Sequence, residues 1–163
     1  MMKRLIRHFQ RYRKRSPWAF CWRITIEGLL VSLLCAFILA LLFPELDREF
    51  PDWNVGTMFL LIVVIAPVAE TLLFQALPIF VARKFNASFS WQIISSMAIF
   101  AGLHFLDGIL AGIASGMVGG FYFAFTFAHW RQKSRWTAFW VTAVSHALNN
   151  ATAFALLALG GQL

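Results

Sequence analysis

The sequence predicts an all-α protein, a polytopic transmembrane helical bundle, and two observations support this prediction. First, 60% of the 163 residues are hydrophobic and only 13% are charged, whereas soluble domains typically carry about 25% charged residues. Second, the apolar residues form continuous runs of about 20 residues, the length at which a helix crosses a bilayer. The sequence lacks the short alternating segments of a transmembrane barrel, and helices satisfy every backbone group within lipid.

Five apolar runs are predicted to be spans. They cover residues 18–43, 57–82, 89–106, 109–128 and 136–159. The first run is longer than the core of a signal peptide and no small-residue cleavage site closes it, so it is interpreted as an uncleaved anchor. The chain therefore divides into a basic arm over residues 1–16 and a single transmembrane domain over residues 17–163, and Pro67 and Pro78 are expected to bend the second span.

Charge predicts the orientation of the bundle. The arm MMKRLIRHFQRYRKR holds seven of the 14 Lys and Arg residues, which by the positive-inside rule keeps the N-terminus in the cytoplasm. The basic pair Arg83 and Lys84 and the basic loop 131–135 then fall inside, and the acidic loop 44–52 falls outside. Tryptophans are expected at the two interfaces: Trp18, Trp22, Trp91, Trp130 and Trp136 at the inner one and Trp53 at the outer one. The arm is interpreted as a topogenic signal that touches anionic headgroups, without nucleic-acid binding.

The fourth span carries a glycine at every fourth position. Gly108, Gly112, Gly116 and Gly120 line one helical face with almost no side chain, and such faces allow another helix to approach closely. Packing within the bundle is the preferred interpretation. A homodimer seam and a substrate groove are the alternatives, so the oligomeric state is left open.

Several polar side chains lie inside the apolar runs. The stretch VVIAPVAETLLFQALP contains Glu70, the third run contains His104, and the fifth contains His146, Asn149 and Asn150. A charged side chain at the bilayer centre costs at least about 2.5 to 3.5 kcal/mol, so such residues face the bundle interior and pair with one another. Each alone has a structural explanation, but three ionisable groups on three spans predict a functional cluster.

Three motifs in the chain resemble those of a known family. APVAETLLFQ is similar to a first motif whose usual form is EExxxR after a proline, FAGLH to FxxxH, and HALNN to HxxxN. In this order, each on its own helix, they resemble the CAAX-protease and bacteriocin-processing (CPBP or Abi) family of glutamic intramembrane endopeptidases. The resemblance covers residues 57–159 as the catalytic core.

The resemblance implies a mechanism and a set of site residues. Glu70, aided by His104, would activate a water that attacks a scissile carbonyl, and His146 and Asn150 would stabilise the oxyanion. A desolvated carboxylate suits general-base work, and donors aimed at developing negative charge are usually the largest catalytic contribution. Four neighbours are expected to support these groups: Thr71, Gln75, Phe100 and Asn149.

The first motif departs from the usual form of the family. Thr71 and Gln75 stand where a second glutamate and an arginine are usual. Exchanging both partners of a buried ion pair for neutral groups can be nearly neutral, whereas losing one partner is costly. The fold is therefore expected to survive, while activity and substrate preference are less constrained.

Counting residues from the helix ends raises a question about depth. At about 1.5 Å per residue, His104 lies roughly 5 to 10 Å further toward the outside than Glu70 and His146. A tilt of the third helix is expected to bring His104 into the cluster.

Alternative functions remain open at this point. No cofactor is expected, and the sequence has no HExxH pair, but a zinc ion held by Glu70, His104 and His146 is the alternative. The predicted function is hydrolysis of a peptide bond in a membrane-associated protein or peptide, in a bacterial inner membrane. The rivals are a catalytically inactive scaffold that binds a peptide or membrane protein, and a small proton or cation carrier, which the lack of an internal repeat disfavours.

Overall fold

A computed structural model describes residues 16–44 and 54–160, which form five long helices and contain no strand. The helices are α1 (Pro17–Leu42), α2 (Val55–Lys84), α3 (Phe89–His104), α4 (Ala111–Arg131) and α5 (Arg135–Leu159). Each corresponds to one predicted run, and no helix end lies more than three residues from its predicted position. The prediction of an all-α bundle is confirmed.

Four of these helices are long and apolar enough to cross a membrane: α1, α2, α4 and α3 with its following turn to Asp107. The protein is therefore an integral membrane protein. The fifth, α5, has 25 residues and is long enough at about 1.5 Å per residue, but His146, Asn149 and Asn150 lower its hydropathy. Its crossing stays a prediction.

The orientation of the chain also stays a prediction. The described residues include only Ser16 of the basic arm and only Pro44 of the acidic loop, and Trp53 lies outside them. At the predicted inner interface, Trp18, Trp22, Trp91 and Trp136 are exposed, as expected for an interfacial belt. Trp130 is different, because it is buried with its ring edge-on to Phe20 at 5.6 Å.

Serine side chains begin three of the helices. The hydroxyl oxygens of Ser16, Ser88 and Ser134 each accept a hydrogen bond from the backbone N–H three residues later, which satisfies one of the free donors of the first turn. After α3 and its short turn, Gly108 has a φ of 108°, a conformation that favours glycine. These residues fix where α1, α3, α4 and α5 start or stop.

The helix α4 is the centre of the bundle. Of its 18-residue apolar stretch, 67% is buried inside the protein, compared with 17 to 28% for the other three candidate spans. It packs against α1, α3 and α5. Its C-terminal half, which is predicted to lie near the cytoplasm, forms a hydrophobic core with Phe20 of α1. Most other large hydrophobic side chains are exposed, as expected for a surface that faces lipid.

The glycine face of α4 lies directly on α3. A Cβ atom at Gly116 would come within 2.9 Å of both the Cα atom of Ala101 and the Cβ atom of His104, and one at Gly120 within 3.0 Å of the Phe100 ring. The predicted role in packing within the chain is confirmed for these positions. Gly108 belongs to the turn instead, with nothing within 4 Å.

Replacing Gly116 by alanine is expected to destabilise the bundle. The added methyl group meets backbone and Cβ atoms, which cannot rotate away, so the free energy of unfolding should fall by about 1 to 3 kcal/mol. Unfolding of the purified protein in detergent by heat or by sodium dodecyl sulfate measures this change. Gly102→Ala on α3 is the control, because its Cβ meets nothing within 4 Å; equal stability of the two variants would contradict the close packing.

Candidate active site

Two prolines interrupt the hydrogen bonding of α2 on either side of Glu70. The segments Leu60–Ile65 and Thr71–Ala76 are π-helical, with hydrogen bonds between residues five apart, and only the turn Ala66–Glu70 between them is α-helical. Pro67 and Pro78 have no N–H to donate. Short π-helical stretches of this kind are frequent at functional sites.

Neighbouring helices supply the donors that the prolines lack. The amide nitrogen Nδ2 of Asn150 donates to the carbonyl oxygen of Ile62 at 2.8 Å, and Ile62 lies five residues before Pro67. The hydroxyl of Ser96 donates to the carbonyl oxygen of Phe74 at 2.6 Å, four residues before Pro78. These two hydrogen bonds fasten α2 to α5 and to α3.

Glu70 and His146 form the centre of the candidate site. Oε2 of Glu70 lies 3.6 Å from Nε2 of His146, and the side chains are 26% and 3% exposed. The imidazole of His146 stacks on Phe123 at 4.2 Å between ring centroids and meets the edge of Phe100 at 5.7 Å. The histidine is thus packed between aromatic rings, while the side chain of Glu70 is partly exposed with its Oε2 buried beside His146.

His104 reaches the cluster through Phe100. Its Nδ1 lies 3.0 Å from the carbonyl oxygen of Phe100, and because a carbonyl only accepts, Nδ1 carries the proton of the neutral ring. The ring of Phe100 lies 4.3 Å from that of His104 and also touches His146. The two histidines are close enough to interact electrostatically, although His104 sits one helical turn beyond the residue that contacts His146.

The four expected supporting residues have different surroundings. Phe100 is 1% exposed and bridges the two histidines, as described above, and Thr71 and Gln75 are fully buried. Asn149 instead donates from Nδ2 to the carbonyl oxygen of Ser145 within its own helix, at 2.9 Å. This bond commits the side chain of Asn149 to α5.

Two residues near the site were missed by the sequence reasoning. They are Phe123, which stacks on His146, and Ser96, which bonds to α2. A signal existed for Ser96, since a proline within a span leaves a carbonyl that a hydroxyl on another helix can satisfy. Phe123 carries no such signal, because one phenylalanine among eighteen is not distinctive.

The spacing of the histidine and acidic side chains bears on a metal site. Within residues 16–44 and 54–160, no group of three or more His, Cys, Asp or Glu residues has the spacing needed to hold a metal ion. The two histidines His104 and His146 instead lie against the ring of Phe100.

Fold and site together define a class: an integral membrane protein of helices whose interior holds a carboxylate paired with histidine. A family model described as type II CAAX prenyl endopeptidase, Rce1-like, matches residues 52–152. Since this match spans more than half of the chain, the protein belongs to the Rce1-like family of CAAX-type intramembrane proteases, within the CPBP family. The resemblance predicted from the three motifs is confirmed.

The match covers α2 from its first residue, all of α3 and α4, and α5 as far as Thr152, so it includes all four predicted catalytic residues. The helix α1 lies outside it. Neither the curated proteins nor the solved structures gave a match to this chain.

The hydrogen bond from Asn150 to Ile62 predicts an energetic coupling with Pro67. Asn150→Ala leaves a carbonyl without a donor and should lower the free energy of unfolding by about 1 to 3 kcal/mol. In a Pro67→Ala background, which restores a backbone N–H, the same change should cost at least about 0.5 kcal/mol less. Denaturation of the four proteins of this double-mutant cycle measures the coupling.

Pro78→Ala provides the matched control for this cycle, because Pro78 lies a further eleven residues along α2. Combined with Asn150→Ala, it should give changes that add within about 0.5 kcal/mol. Additive behaviour of Pro67→Ala with Asn150→Ala would show that the hydrogen bond does not compensate for the proline.

Proposed function

We propose that the protein is an intramembrane endopeptidase that hydrolyses a peptide bond of a membrane-associated protein or peptide. The observation that carries this proposal is the approach of Glu70 Oε2 to His146 Nε2, 3.6 Å apart inside the bundle, within the part of the chain that matches the family. A mid-span carboxylate is costly, and membership of a protease family supplies a reason to keep it.

Glu70 acts as the general base in this proposal. Water attacks the carbonyl carbon of the scissile bond as Glu70 takes its proton. The tetrahedral intermediate then collapses, the C–N bond breaks, and Glu70 returns the proton to the leaving amine. The side chain of Glu70 is 26% exposed, with Oε2 buried beside His146, so water is proposed to reach the carboxylate from its exposed side.

His104 assists by orienting the water. Its Nδ1–H is directed to the carbonyl oxygen of Phe100 at 3.0 Å, so the lone pair lies on Nε2, where it can accept a hydrogen bond. This arrangement supports a role for His104 as an acceptor in the reaction, with Phe100 as the group that holds its ring.

His146 and Asn150 stabilise the oxyanion. Nε2 of His146 already points toward Glu70, and an N–H there would donate to negative charge that develops beside it. Asn150 uses one amide N–H on Ile62, and a primary amide has a second one. Because Asn150 is bonded to the α2 backbone, its amide is held in a fixed position next to the catalytic turn.

This mechanism requires no cofactor. The carboxylate, two imidazoles and water account for every proton transfer, and a zinc ion bound by Glu70, His104 and His146 is the alternative. Cleavage that continues in a chelator supports the metal-free reaction, whereas a loss of cleavage that added zinc restores supports the alternative.

One observation favours a second function, a catalytically inactive scaffold that binds a peptide or membrane protein. Thr71 and Gln75 replace two charged residues of the usual first motif and are both fully buried, so the polarity of the site is lower than that of the full motif. A scaffold would retain its biological effect without Glu70.

The proposal includes a location in the plasma membrane of a bacterium, with the N-terminus in the cytoplasm. The basic arm supports this orientation through the positive-inside rule. Exposed Trp18, Trp22, Trp91 and Trp136 near the basic ends of the helices support it as well.

Glu70→Gln is expected to abolish cleavage. The change keeps size and hydrogen bonding but removes the base, so the rate should fall by about 10²- to 10⁴-fold. Mapping of new peptide termini in membrane and secreted fractions, in cells with the native or the altered chain, measures the loss and identifies the substrate.

Glu27→Gln is the matched control, because Glu27 is also an acid within a span but accepts a hydrogen bond from the hydroxyl of Tyr122 at 3.0 Å. Specific termini should persist in this variant. If they persist equally in Glu70→Gln at a normal membrane level, the base is not Glu70.

His104→Gln tests the proposed role of His104 in orienting the water that Glu70 activates. Loss of its acceptor nitrogen should slow cleavage by about 10²- to 10⁴-fold while membrane levels hold, as measured by the rate of product release from a peptide found in the terminus mapping. His129→Gln, which alters a histidine stacked on Phe20 at 5.1 Å, serves as the comparison and should leave the rate within a few-fold of native. Equal effects of the two changes would assign His104 to structure alone.

A further inference from the structure

A second group of polar side chains lies on α2 and α5, each within five residues of Glu70 or His146. Thr71, Gln75 and Thr142 are each 0% exposed and His146 is 2% exposed. None of five polar atoms among them has a hydrogen-bond partner among the described residues: Thr71 Oγ1, Gln75 Nε2 and Oε1, Thr142 Oγ1, and His146 Nδ1. We call these four residues the inner polar cluster.

Two contacts fix how α2 and α5 face one another. Asn150 bonds to Ile62 at 2.8 Å, and His146 lies 3.6 Å from Glu70. As the residue number rises along α2 it falls along α5, so the two helices are antiparallel at the site.

The next turn in this register brings the remaining polar residues together. Thr142 lies four residues before His146 and therefore shares its face of α5. On α2, the π-helical segment Thr71–Ala76 has hydrogen bonds between residues five apart, which turns Gln75 to the face of Glu70. Gln75 and Thr142 thus lie at the same level, one turn beyond the pair formed by Glu70 and His146.

Unsatisfied polar atoms in such a place are costly. Each buried donor or acceptor without a partner costs about 1 to 3 kcal/mol, and native proteins satisfy such groups with internal water that makes about three hydrogen bonds. A group of hydroxyl, amide and imidazole atoms on two facing helices offers those partners.

We propose that the inner polar cluster binds internal water and, through it, holds the neutral imidazole of His146 in the form with its proton on Nε2. The N–H of Gln75 and the O–H of Thr142 donate hydrogen bonds to water. The water in turn donates to Nδ1 of His146, which accepts. An imidazole whose Nδ1 accepts must carry its proton on Nε2, the nitrogen that faces Glu70.

This arrangement makes Gln75 and Thr142 positioning residues. With the proton on Nε2, His146 directs its N–H toward Oε2 of Glu70, 3.6 Å away, before the reaction and donates to the oxyanion during it. The catalytic consequence rests on the proposed function, whereas the hydration and the tautomer are properties of the folded protein. An acceptor-only side chain in place of Gln75 would favour the opposite tautomer, with the proton on Nδ1.

The test is ¹⁵N NMR of the full chain in lipid nanodiscs with labelled histidine. Protonated and unprotonated ring nitrogens resonate at different shifts, and the signals of His146 are identified by their loss in His146→Gln. The native protein is expected to show a protonated Nε2. In the Thr142→Val, Gln75→Met double variant, which keeps volume but removes the donors, the proton should move to Nδ1 or distribute over both nitrogens.

Thr142→Ser, which retains the hydroxyl, is the matched control and should keep the native spectrum. Cleavage kinetics give an independent measurement. The double variant should lower kcat about five- to tenfold with KM unchanged, the effect of one weakened hydrogen bond in the transition state. The single variant Thr142→Ser should cleave at the native rate.

The outcomes separate this inference from the proposed function. A native spectrum with the proton on Nδ1, or a tautomer that the double variant leaves unchanged, would overturn the inference even if Glu70→Gln abolishes cleavage. Conversely, if the tautomer responds as expected but Glu70→Gln cleaves like the native chain, the proposed function fails and the internal water site stands. A folding failure of the double variant is recognised by its melting temperature, and the Thr142→Val single variant then answers the same question.

Discussion

The arrangement of the site depends on how the backbone of α2 is satisfied in an environment without water. Two prolines remove donors from the middle of a membrane helix, and an unsatisfied carbonyl there costs several kcal/mol. Asn150 and Ser96 supply the missing donors from α5 and α3. These bonds act at a fixed point along each helix, so they set the register of three helices. They place Glu70, on the one α-helical turn between the two π-helical segments, opposite His146. Asn150 therefore has a structural function that any catalytic function must share.

The close contact between α4 and α3 is the second constraint. Gly116 and Gly120 allow the backbone of α4 to approach the very residues that carry Phe100 and His104. Phe123 of the same helix then stacks on His146. A larger residue at Gly116 would move the face of α3 that presents His104, so the small side chains of α4 and the aromatic ring of Phe100 determine the position of both histidines. Packing and site geometry are thus produced by the same contacts.

The sequence predicted the helices well, because they depend on local composition, and it selected polar residues of which Glu70 and His146 lie together in the structure. Long apolar runs specify spans within a few residues, and polar residues inside them must face inward. What could not be predicted depends on pairing in three dimensions. The hydrogen bond from Asn150 to Ile62 is an example, because the acceptor becomes available only where Pro67 and a π-helical segment lie opposite Asn150. Trp130 was expected at the interface, yet the ring of Phe20 on another helix encloses it. The depth of His104 and the tilt of α3 stay predictions, whereas the contact of the Phe100 ring with both His104 and His146 could not be seen from residue counts.

The first motif has two neutral residues where the usual form has a charged pair, and replacing both members is less costly than losing one of them. A buried ion pair is replaced here by Thr71 and Gln75, which leave no orphan charge in the bundle. They do leave buried hydroxyl and amide atoms that must be satisfied. A charged donor holds one geometry, whereas an amide can present either its N–H or its carbonyl. The orientation of the Gln75 amide therefore depends on its neighbours. Thr142 is the buried hydroxyl proposed to set this orientation, and it lies on α5, four residues before His146.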